Sequence, residues 1–117
     1  MFRYHFVLCT REKFKLLCNQ DTFDIVKGLF ELAAEELNFN LVHFEGENEY
    51  VYIILDSFDR NLSPAQVFHG ISSKSSAMIR ENDVLKLHAK PSIWLRKHLE
   101  STKKFDRTDI NTFLLSL

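Results

Sequence analysis

The chain has 117 residues, of which 45% are apolar and 26% charged, and its formal net charge at pH 7 is −1. This composition excludes a disordered or fibrous chain, and no apolar run approaches the roughly 20 residues that a membrane span needs. No Ser/Gly linker, low-complexity segment or internal repeat divides the sequence. We therefore expect a single domain over residues 1–117, located in the cytoplasm and without a membrane partner.

Charge is distributed unevenly along the chain, although its sum is close to zero. Residues 1–57 carry five basic and ten acidic side chains, a net charge of −5, whereas residues 58–117 carry ten and six, a net charge of +4. Near-neutrality by itself is poor support for nucleic-acid binding, which needs clustered Lys and Arg. A phosphate-facing surface should therefore come mainly from the second half. The alternative is an ordinary solvated surface of mixed charge.

The first third of the chain changes from a strand pattern to a helix pattern. Residues 2–10 alternate aromatic and aliphatic side chains, which predicts a first strand, and a basic connection with Arg11 and Lys13 follows. From about Asp21 the apolar residues recur at steps of three and four. This spacing predicts an amphipathic helix whose first turn is capped by Asp21 or Thr22.

A hairpin is expected after this helix. Residues 41–44 and 49–55 are rich in β-branched and aromatic side chains and predict a second and a third strand. Gly46 and Asn48, between them, are typical turn residues. The two strands should therefore pair with each other.

The second half predicts a helix, a strand and a further helix. Ser63-Pro64 is typical of a helix start, with proline at the first helical position. Residues 93–101 predict a fourth strand around the only tryptophan, and Asp106 or Thr108 could cap a terminal helix. The order β-α-β-β-α-β followed by α indicates an α+β fold, the ferredoxin-like split βαβ arrangement with an antiparallel sheet and an extra C-terminal helix. Many unrelated activities use this fold, so function must come from particular residues.

Several segments, spread over nearly the whole chain, together resemble one family, the single-tyrosine HUH transposases that move insertion sequences as single-stranded DNA. The segments are Tyr4-His5-Phe6-Val7, Phe30-Glu31-Leu32-Ala33, Asn40-Leu41-Val42, Leu62-Ser63-Pro64-Ala65-Gln66-Val67 followed by Gly70 and Lys74-Ser75-Ser76, and Ser92-Ile93-Trp94. The resemblance includes the type of family member that associates with repeated palindromic hairpins. The resemblance implies the ferredoxin-like fold, a dimer and a single-stranded or hairpin DNA partner, with RNA as an alternative.

The resemblance also implies that the family's catalytic residues are replaced. Where the family has two metal-binding His flanking a hydrophobic residue, this chain has Tyr50-Val51-Tyr52, and a phenol with a pKa near ~10 is a poor ligand for Mg²⁺ or Mn²⁺. The position of the tyrosine nucleophile corresponds to Phe113, which has no hydroxyl to attack phosphorus. The family's helper Gln, one turn later, corresponds to Leu117. We therefore expect no nuclease activity, no metal and no cofactor.

Two further sets of residues were weighed as metal ligands. Cys9 and Cys18 lack CxxC spacing, so we expect neither a zinc site nor a disulfide framework. His5, His43 and His98 could form a replacement metal site, but strand histidines more often bond a backbone carbonyl or face water. We therefore expect no metal at these histidines, and the replacement site is the alternative.

Phosphate contacts are expected from basic and hydroxyl side chains, because these are the usual positioning groups for a nucleic-acid backbone. The candidates are Arg11, Lys13, Lys74, Ser75, Ser76, Arg80, Arg96 and Lys97, with Lys103 and Lys104 extending the track. Tyr50 and Tyr52 could stack on unpaired bases, or they could simply pack one face of the sheet.

Three functions follow from these observations. The leading hypothesis is a catalytically inactive transposase-like protein with a regulatory role that binds a nucleic-acid hairpin without cleaving it. The second is a dimeric protein-interaction module that no longer binds nucleic acid. The third is a divergent active nuclease that uses Tyr4, Tyr50 or Tyr52 as its nucleophile.

Overall fold

A computed structural model describes residues 2–10, 17, 19–47, 50–59, 61–85 and 93–117. Its elements, in chain order, are β1 (Phe2–Cys9), α1 (Gln20–Glu36), β2 (Asn40–Glu47), β3 (Tyr50–Ser57), α2 (Pro64–Glu81), β4 (Leu99–Ser101) and α3 (Arg107–Leu115). The strands form one antiparallel sheet in the order β2-β3-β1-β4. This is the split βαβ arrangement with an extra helix, so the predicted fold class is confirmed.

The sheet is covered on both faces because its two central strands are apolar on both sides. On β1, Tyr4, Phe6 and Leu8 belong to the larger core cluster together with buried residues of α1 and α2. Val7 and Cys9, which alternate with them, belong to a smaller cluster that includes Ile110 and Phe113 of α3. Successive strand side chains point to opposite faces, so α3 packs on the face opposite to the other two helices.

All three helices begin with a capping box, in which the cap and the third helical residue bond each other's backbone N–H. The caps of α2 and α3 are Ser63 and Asp106, as predicted. The prediction of Asp21 or Thr22 for α1 was wrong: Asn19 is the cap, and Thr22 is its reciprocal partner at the third position. None of the helices in the described ranges is both long and apolar enough to span a membrane.

Gly46 lies within β2 and not in the turn that the sequence predicted. The strand extends to Glu47 because Gly46 pairs with Val51 across the hairpin. A Cβ at Gly46 would lie 2.5 Å from both the Tyr50 carbonyl oxygen and the Leu17 Cδ1 atom. The glycine is therefore required by the close approach of neighbouring atoms and not by a turn.

The fourth strand is shorter than predicted. Only Leu99–Ser101 pairs with β1, whereas Trp94 makes an isolated bridge to Thr10. Its indole is turned into the core near α2, where it is bonded to a serine of that helix. Between the two paired segments, His98 Nδ1 donates to the Arg96 carbonyl at 2.7 Å, and this local bond accompanies the break in the ladder.

Two glycine substitutions should change stability in opposite directions. Gly46→Ala should lower the free energy of unfolding by about 1–3 kcal/mol, because the added methyl group overlaps backbone and core atoms. Gly28→Ala, inside α1 and with no atom within 4 Å of the added Cβ, should raise it by about 0.5–1 kcal/mol. Chemical denaturation of both variants measures the difference. An unchanged Gly46→Ala protein would contradict the packing described here.

Candidate nucleic-acid interface

Tyr50 and Tyr52 lie on the sheet face that α3 covers. They are 6% and 1% exposed, and they pack with Ile110 and Phe113 of α3 in the smaller core cluster. Burial raises the pKa of both phenols, and for Tyr50 the neighbouring Glu47 adds to this effect. Both phenols are therefore neutral and packed at neutral pH, which supports their interpretation as core residues over their use as stacking platforms.

The Tyr52 hydroxyl connects three parts of the chain. Its oxygen accepts a hydrogen bond from the Phe105 backbone N–H at 3.0 Å, and it lies 2.8 Å from His5 Nδ1. Burial is the main cause that lowers the pKa of His5, which favours the neutral imidazole. Because the phenol oxygen already accepts the Phe105 N–H, we assign the phenol proton to the bond with His5 Nδ1, and this assignment leaves the imidazole proton of His5 on Nε2.

The donor set on this face does not fit the divalent metal ion that the family resemblance implied. The two phenols are protonated, Phe113 has no donor atom, and the Leu117 side chain is apolar. Within the described ranges, no group of three or more His, Cys, Asp or Glu side chains is arranged to hold a metal ion.

The three histidines considered as metal ligands are not brought together. His5 and His43 flank Ile54 from the two neighbouring strands, so both are on the α3 face. His98 is on the other face, where its ring stacks on Phe68 of α2 with ring centres 3.5 Å apart. The hypothesis of a His5, His43 and His98 site is therefore not supported by this arrangement.

The serines predicted to contact phosphate serve the core. Ser75 is fully buried, and its hydroxyl accepts a hydrogen bond from Trp94 Nε1 at 3.0 Å and donates to the Ser72 carbonyl at 3.2 Å. Ser76 is 8% exposed and accepts a bond from the Ile93 backbone N–H at 3.3 Å. Both hydroxyls hold the segment before β4 against α2, so phosphate contact by these two serines stays a prediction without geometric support.

The basic residues of α2 are on the surface. Lys74 Nζ lies 2.7 Å from Glu36 Oε2, which ties α2 to the end of α1. Arg80, in the last turn of α2, is exposed. Arg11 and Lys13, in the predicted basic loop, lie outside the residues that the structure describes.

A second group of basic residues surrounds a cleft of about 580 Å³ between β4 and α3. Lys103 and Lys104 line it and are exposed, and Phe105 and Phe113 supply apolar surface. The two lysines were predicted only as an extension of the basic track. The sequence has no local signal for the cleft, because the two sides of the cleft come from separate elements.

The lining of this cleft is mixed in polarity. The side chains of Ser101, Thr112 and Ser116 contribute hydroxyl groups, and Asp109 contributes one carboxylate. This carboxylate already accepts a hydrogen bond from the Asp106 backbone N–H at 3.0 Å. Beside the cleft, Lys97 Nζ donates to the Ser116 carbonyl at 3.2 Å. The neighbouring residue Arg96 is exposed. Cations, hydroxyls and aromatic rings are the groups that bind single-stranded nucleic acid.

Comparison with known proteins identifies the family. The pattern of the family described as "Transposase IS200 like" matches residues 1–109. The chain belongs to this family of transposases. The resemblance drawn from the sequence motifs is therefore confirmed at the level of the family. No curated protein matches the sequence.

Two solved structures share the fold. A candidate transposase from Deinococcus radiodurans R1 superposes with a TM-score of 0.78 at 20% identity, covering 98% of this chain and 89% of that protein. A REP-associated tyrosine transposase bound to a REP hairpin superposes with a TM-score of 0.59 at 10% identity, covering 96% of this chain and 62% of that protein. At these identities the likeness extends to the fold alone.

Removing the Ser75 hydroxyl should destabilise the protein. In Ser75→Ala the buried indole N–H of Trp94 loses its acceptor, which should lower the free energy of unfolding by about 1–3 kcal/mol. Ser73→Ala, an exposed position on the same helix, is the matched control and should change it by less than about 0.5 kcal/mol. Denaturation followed by the fluorescence of the single tryptophan measures both variants. Equal effects would argue against the buried role of Ser75.

Proposed function

We propose that this family member binds a structured single-stranded nucleic acid, a hairpin with unpaired flanks, without cutting it. The absence of cutting is the more specific part of the proposal. It is carried by one observation: Tyr50 and Tyr52 are buried beneath α3, which presents Phe113 to them. The positions that correspond to the family's metal ligands and nucleophile therefore form a packed core.

The hydroxyls of Tyr4 and Tyr52 both take part in hydrogen bonds. Tyr4 is 6% exposed and donates to the Leu62 carbonyl at 2.9 Å, on the face opposite to α3. Tyr52 donates to His5 Nδ1. A nucleophile must reach the phosphorus atom with a free, activated oxygen, which neither residue offers in this arrangement. This argues against an active nuclease that uses Tyr4 or Tyr52. For Tyr50, the third candidate, the argument is its burial beneath α3.

Binding is supported by the family and by the basic surface beside β4. A relative in the same fold was solved with a hairpin bound. In this chain Lys103 and Lys104 line the cleft between β4 and α3, Lys97 is bonded to Ser116 of its lining, and Arg96 is exposed on the segment before β4. We assign phosphate contacts to these four residues and single-stranded contact to the cleft. Secondary candidates for phosphate contact are Lys74, Arg80, Arg11 and Lys13. A regulatory role would follow if the protein masked the end of a hairpin.

A protein-interaction module is the second candidate function, and exposed leucines favour it. Leu115 and Leu117, at the end of α3, are 88% and 46% exposed. Exposed apolar side chains at one end of a helix suit a protein contact, including a second copy of the chain. In this proposal the two copies of a homodimer contact each other through that surface. Light scattering compares the molecular mass in solution of Leu115→Asp with that of the unchanged protein.

Nucleic-acid binding should depend on salt and on the lysines of the cleft. A single-stranded hairpin with flanks, in DNA and RNA forms, should bind with a log–log salt slope of about −0.7 for each phosphate contact to the single strand. Lys103→Ala and Lys104→Ala should each weaken binding and reduce the steepness of the salt slope by about 0.7, the value for one phosphate contact. Lys27→Ala, an exposed lysine on α1, is the control and should change neither quantity. Absence of binding at low salt would favour the interaction module.

The same samples test cleavage. Incubation with Mn²⁺ or EDTA, followed by a denaturing gel, should leave the nucleic acid at full length in both conditions, because Tyr4, Tyr50 and Tyr52 are all buried. A covalent adduct between the protein and a 5′ end would overturn the proposal of an inactive protein. Tyr50→Phe and Tyr52→Phe would then identify the tyrosine responsible.

A further inference from the structure

His5 is the buried centre of a hydrogen-bond chain that joins the sheet to the segment before α3. It is 5% exposed, it accepts the Tyr52 proton at 2.8 Å, and Tyr52 in turn accepts the Phe105 N–H at 3.0 Å. The Phe105 ring packs edge-on against both rings, with centroid distances of 6.4 Å to His5 and 5.6 Å to Tyr52. Phe105 directly precedes Asp106, the cap of α3. These hydrogen bonds thus fix where α3 begins.

Titratable groups from β1, β2, β3 and the segment before α3 face His5, and β4 places the uncharged Ser101 opposite it. Arg3 on β1, His43 on β2 and Lys104 before α3 disfavour a charged imidazole, whereas Asp56 on β3 favours one. The Asp56 carboxylate is already bonded by Arg3 through Nε at 2.8 Å and Nη2 at 3.0 Å. A proton on His5 would therefore gain little from Asp56.

We propose that His5 is a pH-sensitive latch for α3: the neutral imidazole holds Tyr52 and Phe105 in place, and its protonation releases residues 102–106 and α3 from the sheet. A protonated Nδ1 is a donor and no longer accepts the Tyr52 proton, so the phenol loses its buried acceptor. The imidazolium would also be desolvated among the cations that surround it. Release uncovers Val7, Cys9 and Tyr50, the sheet side of the smaller core cluster.

The direction of the pH effect follows from the lowered pKa of His5. In the unfolded or released state the pKa returns towards its ordinary value of 6.5, so that state binds the proton more readily. The stabilisation of α3 is therefore complete above pH 6.5 and is lost as the pH falls through the lowered value of the docked state.

His98 provides a matched internal control. It is also partly buried and stacked on an aromatic ring, but its Nε2 lies 3.6 Å from Glu100 Oε1. Its contacts are the Phe68 ring of α2 and the Arg96 carbonyl, on the face of the sheet opposite to α3. His98→Gln therefore tests whether replacing a histidine away from α3 has the same effect as replacing His5.

Amide hydrogen exchange of the free protein tests the latch, with protection factors corrected for the intrinsic exchange rate at each pH. Between pH 7.5 and 5, protection of α3 should fall by about tenfold, as expected for the loss of one buried hydrogen bond, while the β1 and β3 amides stay protected. Tyr52→Phe should show low α3 protection at every pH. His5→Gln should abolish the pH step, and His98→Gln should retain it.

Three results would overturn the latch: a pH step that persists in His5→Gln, α3 protection that is unaffected by Tyr52→Phe, or simultaneous loss of protection throughout the sheet. The experiment contains no nucleic acid, so its outcome is independent of the proposed binding function. Because Lys103 and Lys104 lie in the released segment, regulation of binding by the latch would rest on that function. Repeating the salt titration with His5→Gln at pH 5 and 7.5 would then measure it.

Discussion

The antiparallel pairing of β1 with β3 is the constraint on which the rest of the molecule depends. It joins eight residue pairs without interruption, from Phe2 with Ser57 to Cys9 with Tyr50. A shift of one residue would exchange the faces of every side chain on a strand, so this register decides which residues face the three helices. Arg3 and Asp56 stand directly opposite each other and are bonded twice, and this contact holds the pKa of Asp56 below its ordinary value. The pair thus supports this register from the edge of the two strands.

The register places the two tyrosines of β3 under α3, and this has a chemical consequence. A metal-dependent nuclease needs charged or neutral donor atoms that stay accessible on a strand, whereas here that face is closed by aromatic and aliphatic packing. Phe113 contributes to the packing because it has no hydroxyl to satisfy, and Tyr52 is tolerated because His5 and Phe105 supply its partners. Tyr52 and Phe113 therefore stabilise the packing between β3 and α3, whereas an active site at these positions would need an open cleft.

Much of the fold was predictable from local signals, and the remainder was not because it depends on distant residues. The apolar periods and the caps Ser63 and Asp106 are encoded within a few neighbouring positions. Ser75 was predicted to contact phosphate because no residue near it in the sequence indicates its actual partner, Trp94, which follows 19 positions later. His5 and Tyr52 are separated by 47 positions, and the two sides of the lysine cleft belong to different elements. A single sequence contains no local signal for such contacts.

The fold places acidic and basic side chains on opposite sides of the sheet. On α1 the exposed side chains are mainly carboxylates, including those of Asp21, Asp24 and Glu35, and Lys74 is paired with Glu36 beside them. This layer lies on one side of the sheet, and the lysine cleft lies with α3 on the other. Opposing layers of a sheet and its helices are separated by more than the ~8 Å over which physiological salt screens charge. A polyanion near the cleft would therefore experience the two lysines and Asp109 of its lining, and little of the acidic helix α1. The net charge of −1 for the whole chain is thus a poor guide to the charge on that side.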